Sequence, residues 1–126
     1  MTSGCDVCLL GDYDTENQMH VETYPVARKE HRCDECRGAI PPGSQYQRIV
    51  GKSDGDLWSV KTCSCCAEIR RVFYCNGGYW YRRLWEDMEE QAFPRLTTAS
   101  ACFQELSPVA RAFVLDRWRT WKGLSA

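Results

Sequence analysis

Cys33 and Cys36 bracket Asp34 and Glu35, and Cys63 and Cys66 bracket Ser64 and Cys65. The chain therefore carries two Cys-x2-Cys pairs with 26 residues between them. Thiolates at this spacing suit tetrahedral Zn2+. Each pair spans one edge of the tetrahedron, and an intervening hairpin can bring the two edges together. Four thiolates leave no coordination position open, so such a metal is structural rather than catalytic. Cys65 competes with Cys66 through the tighter Cys63-x-Cys65 bite, and the commoner x2 spacing favours Cys66. Cys5 and Cys8 make a third pair with no fourth beside it. A second zinc would need two more ligands from Cys65, Cys75, Cys102, His20 and His31. Cys75 and Cys102 are the expected ones, because a helix end and a loop can aim a ligand. The plainer alternative is that these two are ordinary buried cysteines, which behave as small hydrophobes.

No catalytic set accompanies the cysteines. Residues 45–74 contain no His, so a His-dependent nuclease centre on a finger of this kind lacks its base and its ligand. Asp54 and Asp56 sit in Ser-Asp-Gly-Asp, the composition of a hairpin loop. The Cys-x2-Cys pairs lie outside any βαβ pattern that a thioredoxin-like site would need. The expectation is a protein that is not an enzyme.

Two groups of cations remain. Arg28, Lys29, Arg32 and Arg37 flank the first pair and His31, and Arg48, Lys52 and Lys61 follow; together they are candidate phosphate contacts. The plainer reading is a solvated face, and an overall pI near 6.1 gives nucleic acid no help. Trp80, Arg82 and Arg83, with Arg117 and Arg119 further on, mix rings and guanidinium groups as protein interfaces do. At helical spacing such rings are more often core.

The elements that must position these residues follow from pattern. A chain of 126 residues reads as one domain with a core that is marginal without a staple. Within it, 1–22 is an acidic segment with a Cys pair, 23–78 the zinc-finger module and 79–126 a helical extension. Net charge is −5, +5 and −1 over residues 1–22, 23–83 and 84–126. Residues 9–20 read as a polar loop and Val21–Arg28 as a strand. Gly38 is placed where a knuckle turn needs positive φ. Gln45–Val50 and Leu57–Thr62 read as strands around a Gly51–Asp56 loop, then Cys63–Tyr74 as a helix whose N-terminus carries the second pair. Further helices are expected over Trp80–Ala92 and from Ser107-Pro108 to a stop at Gly123. Knuckle, hairpin, then knuckle at a helix start is the order of a treble-clef zinc finger, giving a small α+β zinc-stabilised domain with two C-terminal helices. The odd cysteine count, nine, the Cys-x2-Cys grouping and the absence of a leader-like start favour metal over disulfides in a reducing, cytoplasmic setting. No apolar run approaches a membrane span.

The stretch from Ala27 to Cys63, with Leu84-Trp85-Glu86-Asp87-Met88 and Trp118-Arg119-Thr120-Trp121-Lys122, resembles small zinc-binding proteins encoded by bacteriophages and prophages. The resemblance covers most of the chain and implies a phage or prophage origin, but it carries no activity across. Small phage proteins without catalytic residues often bind and modulate a host protein, defence nucleases among them. The leading expectation is accordingly a non-enzymatic adaptor or inhibitor of a host protein, with Zn2+ at one site or two. The alternative is a nucleic-acid-binding regulator using the basic residues from Arg28 to Lys61.

Overall fold

Alternating residue types build the sheet at the centre of the chain. In the computed structural model, which describes residues 7–9, 19–53, 55–75 and 81–125, β4 (Tyr46–Ser53) is the middle strand. It pairs antiparallel with β1 (Met19–Thr23) on one side and β5 (Asp56–Cys63) on the other. The β4–β5 register runs from Tyr46 opposite Cys63 to Ser53 opposite Asp56. The hairpin thus closes at Gly55, whose φ of 85° is one that glycine adopts without a steric penalty. The expected Gly51–Asp56 loop is shorter than its composition implied. Gly51 stays in the ladder opposite Trp58, and a Cβ there would lie 2.2 Å from the indole. β1 stops at Thr23 rather than reaching Arg28, because Pro25 has no N–H to continue a ladder. Beyond it, Val26 makes only an isolated bridge to Gln45.

Directly opposed residues share a face, and successive ones alternate. Gln47, Ile49 and Gly51 with Thr62, Val60 and Trp58 form the packed face. On its helix side, Arg70 bonds Gln47 and Thr62. Arg48, Val50 and Lys52 with Lys61, Ser59 and Leu57 form the other face.

β2 (His31–Arg32) and β3 (Ala39–Ile40) pair as a two-residue hairpin whose turn is the first Cys-x2-Cys pair. The left-handed residue of that turn is Arg37, at φ 66°, and not the expected Gly38. Gly38 serves close approach instead, since a Cβ there would sit 3.3 Å from Cys36 Sγ.

α1 (Ser64–Phe73) leaves β5 directly, with Cys63 as its N-cap. α2 (Leu84–Asp87) runs into a π-helical turn at Met88–Ala92, in which the Phe93 N–H donates to the Met88 carbonyl. α3 (Ala101–Glu105) is too short for helical periodicity to reveal it. α4 (Pro108–Ser125) starts at the expected position, with Ser107 Oγ accepting the Ala110 N–H, but passes through Gly123. One turn from a fraying end, glycine's poor helix propensity costs little.

One buried cluster includes Ile69, Phe73, Leu84, Met88, Phe103 and Val114, and it also takes in Val7 and Leu9 from the acidic segment. The Leu9 N–H donates to the Phe73 carbonyl at 2.8 Å, so Leu9, the first residue of the expected 9–20 polar loop, is a core residue, and 10–18 of that loop lie outside the described residues. Between Val7 and Leu9, Cys8 is joined to Cys75 by a disulfide with Cα atoms 5.6 Å apart. Cys102 is disulfide-bonded as well. Disulfide sulfur therefore stands where thiolate ligands of a second zinc were expected. Sequence spacing groups neighbours only, and Cys8 and Cys75 are 67 positions apart. Cys5, the remaining expected ligand, lies outside the described residues. Among the described residues, no helix is long and apolar enough to cross a membrane.

Candidate metal centre

Three pieces of backbone deliver the four thiols. The β2–β3 turn supplies Cys33 and Cys36, the end of β5 supplies Cys63, and the first turn of α1 supplies Cys66. Their sulfurs all lie within 4.8 Å of one another. Cys36 Sγ and Cys63 Sγ are 3.9 Å apart. A tetrahedron with Zn–S of about 2.3 Å has edges of about 3.8 Å, so the cluster is the size that four thiolates around one such ion require. None of the four is in a disulfide. Cys65 is free and outside the cluster, its thiol pushed up by burial and by Glu68.

N–H groups converge on the sulfurs. Cys33 Sγ accepts from the backbone of Glu35 at 3.3 Å, Cys36 at 3.4 Å and Cys63 at 3.3 Å. Cys36 Sγ accepts from Gly38 at 3.4 Å, and Cys63 Sγ from Cys66 at 3.5 Å. The Trp85 indole of α2 donates to Cys66 Sγ at 3.4 Å. Donors aimed at sulfur stabilise thiolate over thiol.

Without a cation, four sulfurs this close cannot all be anions. Cys33 is held far below an ordinary thiol by hydrogen bonds from Cys36, Cys63 and Cys66. Cys66 and Cys63 are pushed far above it, chiefly by their bonds to Cys33. Cys36 settles at about 7, raised by Cys33 and lowered by Cys63 and Cys66. A divalent cation at the centre would take the place of these shared protons. The donor set can hold a metal ion and is consistent with zinc.

The two residues inside the first pair fix the centre to the rest of the fold. Asp34 bonds the Lys61 backbone in both directions, its N–H to the carbonyl at 2.7 Å and its carboxylate from the N–H at 2.8 Å. Glu35 is buried and accepts from the Arg70 guanidinium at 2.5 Å, the Arg82 N–H at 3.0 Å and the Leu84 N–H at 3.1 Å. Arg70, 1 % exposed, also donates to Thr62 Oγ1 at 3.1 Å and to Gln47 Oε1. One carboxylate thus ties the metal turn to α1 and to the start of α2. The sequence signal for Arg70 is its register: Cys66, Ile69, Arg70 and Phe73 fall at i, i+3, i+4 and i+7. A cation on that buried stripe requires a buried acid.

The remaining expected residues are spread differently. His31 is no part of the cluster and lies beside the Tyr46 ring, centroids 5.3 Å apart. Arg28, Lys29, Arg32, Arg37, Arg48 and Lys52 are exposed and Lys61 is half-buried. Of the expected protein-contact set, Trp80 lies outside the described residues. Arg82 pairs with Asp34 at 3.7 Å, and Arg83 with Glu86 at 3.1 Å and Asp87 at 3.4 Å. Arg117 stacks over the Trp85 ring at 4.4 Å. Arg119 alone of the four arginines is exposed with no ion pair or ring contact among the described residues. No protein-family description, no curated protein and no solved structure matches the chain.

Proposed function

We propose that the chain is a zinc-stabilised binding module of the treble-clef kind that works by docking on another macromolecule and carries out no reaction of its own. The observation behind this is the four-sulfur cluster spanning a knuckle, a hairpin end and a helix N-terminus. Four thiolates saturate Zn2+, so the ion has no position for water or substrate, and its contribution goes into folding. The resemblance to phage-encoded zinc proteins adds that the macromolecule belongs to a host cell. Elemental analysis of the purified chain tests the reading. One zinc per chain, released by a chelator with loss of the folded circular-dichroism signal, is the expected result. A metal-free chain that melts cooperatively and unchanged in chelator would overturn it.

A further inference from the structure

The face of the sheet turned away from α1 is covered at its Tyr46–Cys63 end by β2 and the metal turn, and beyond that end its charged side chains are of one sign. Arg48 stands directly opposite Lys61, and Lys52 opposite Leu57, with Val50 between Val21 and Ser59. The described acids of these strands fall on the other side: Glu22 pairs with Ile49 and Asp56 with Ser53. None of the ion pairs among the described residues engages Arg48, Lys52 or Lys61. Like charges directly opposed across a ladder repel, and an anion lying over Arg48 and Lys61 would relieve that repulsion. Val21 and Leu57, 64 % and 77 % exposed, complete an open surface.

Resting on the binding-module reading, we infer that this face binds the phosphate backbone of nucleic acid, duplex in preference to single strand and without sequence preference. Arg48 and Lys61 lie on neighbouring strands about 5 Å apart, and Lys52 lies about 13 Å along β4 from Arg48. Long cationic side chains at those intervals meet successive phosphates rather than one compact anion. No ring is contributed by Arg48, Val50, Lys52, Leu57, Ser59 or Lys61, so unpaired bases have nothing there to stack on. Contacts that neutralise phosphates position a protein on a duplex without reading its sequence. The metal turn adjoins this surface, because Asp34 bonds the Lys61 backbone between the exposed Arg32 and Arg37.

Fluorescence anisotropy of a labelled random duplex, titrated with the zinc-loaded full chain, tests the inference. Three phosphate contacts at a slope of about −0.9 each predict an affinity loss of about 40-fold between roughly 50 and 200 mM salt. Lys52→Gln should lower that slope by about one. The double variant Arg48→Glu, Lys61→Glu, with its zinc content unchanged, should bind at least about tenfold more weakly at the lower salt. Zinc-loaded protein that leaves the duplex unbound, or a charge-reversed variant that binds like the parent, overturns this inference and leaves the scaffold intact. Stronger competition from polyglutamate than from duplex of equal charge also overturns it, in favour of an acidic protein partner. Duplex binding by a chain that never held zinc would overturn the scaffold reading instead.

Discussion

Arg70 and Glu35 are a buried ion pair that two neighbouring elements depend on. Taking a guanidinium and a carboxylate out of water costs several kcal/mol per ion, and their attraction repays that only when the remaining donors and acceptors are matched. Here they are matched, since Glu35 takes two backbone N–H groups besides the guanidinium, and Arg70 reaches Thr62 and Gln47. Arg70→Met leaves the carboxylate buried without its counter-charge. It should lower unfolding free energy by about 3–5 kcal/mol, read from the urea midpoint. Adding Glu35→Gln, which removes the orphaned charge and keeps an acceptor for the Leu84 N–H, should recover part of the loss. A single variant as stable as the parent would show that the pair is not the tie described. The cysteines make a second contrast at this scale. Cys66→Ser removes a ligand from a site worth about 10–16 kcal/mol, more than most domains have in reserve, and should abolish both zinc retention and the folded signal. Cys65→Ser changes a neighbour outside the cluster and should keep one zinc per chain by elemental analysis.

At the scale of elements, α2 is the piece that closes the metal centre from the helical side. Trp85 donates its indole N–H to Cys66 Sγ, carries Arg117 over its ring and packs near Phe113 and Phe93. Trp85→Phe keeps an apolar ring for these neighbours and removes only the donor. Loss of such an outer-shell bond typically weakens a metal site by about 10–100-fold. Zinc affinity measured against a chromogenic chelator should therefore fall by about tenfold with little change in secondary structure. Unchanged affinity would reduce Trp85 to packing. The β4–β5 hairpin and α1 were legible in the sequence because alternation and a cysteine pair at a helix start are local signals. The α2 segment was legible only as a helix, since a stripe of Leu84, Trp85 and Met88 does not announce a π turn. The β2–β3 hairpin has two residues per strand and α3 has five in all, too few for a period to register. The four clustered cysteines were readable from spacing. Asp34 and Glu35, which seat them, were not, because their partners Lys61, Arg70 and Leu84 are distant in sequence and only the fold brings them near.

Across the whole molecule the thiol cluster and the Cys8–Cys75 disulfide act on different distances, and the bond of Cys102 is a further crosslink. The thiol cluster gathers Cys33 to Cys66, whereas the Cys8–Cys75 disulfide closes a loop of 67 positions that contains the entire metal module. The disulfide also holds Val7 and Leu9, both 1 % exposed, against a core in which Phe73 receives the Leu9 N–H. Closing a loop of that length removes unfolded-chain entropy worth about 4 kcal/mol, within the usual range of about 2–5 kcal/mol for such a bond. No ligand of the metal cluster is spent in that bond, so the two crosslinks are separable. A phosphine reductant should break this disulfide together with that of Cys102, lower Tm by on the order of 10 °C or more and leave one zinc per chain. Cys8→Ala removes the Cys8–Cys75 bond alone, leaves that of Cys102 intact, and should reproduce part of the lowered Tm without reductant. The opposite treatment, chelation of the oxidised chain, should unfold the metal module while the disulfide survives mass mapping. Zinc lost in step with the disulfide would show the crosslinks to be coupled, with the N-terminal plug at Val7 and Leu9 needed to keep α1 positioned for Cys66. Zinc retained through reduction would show that the thiol cluster holds its metal without the disulfides.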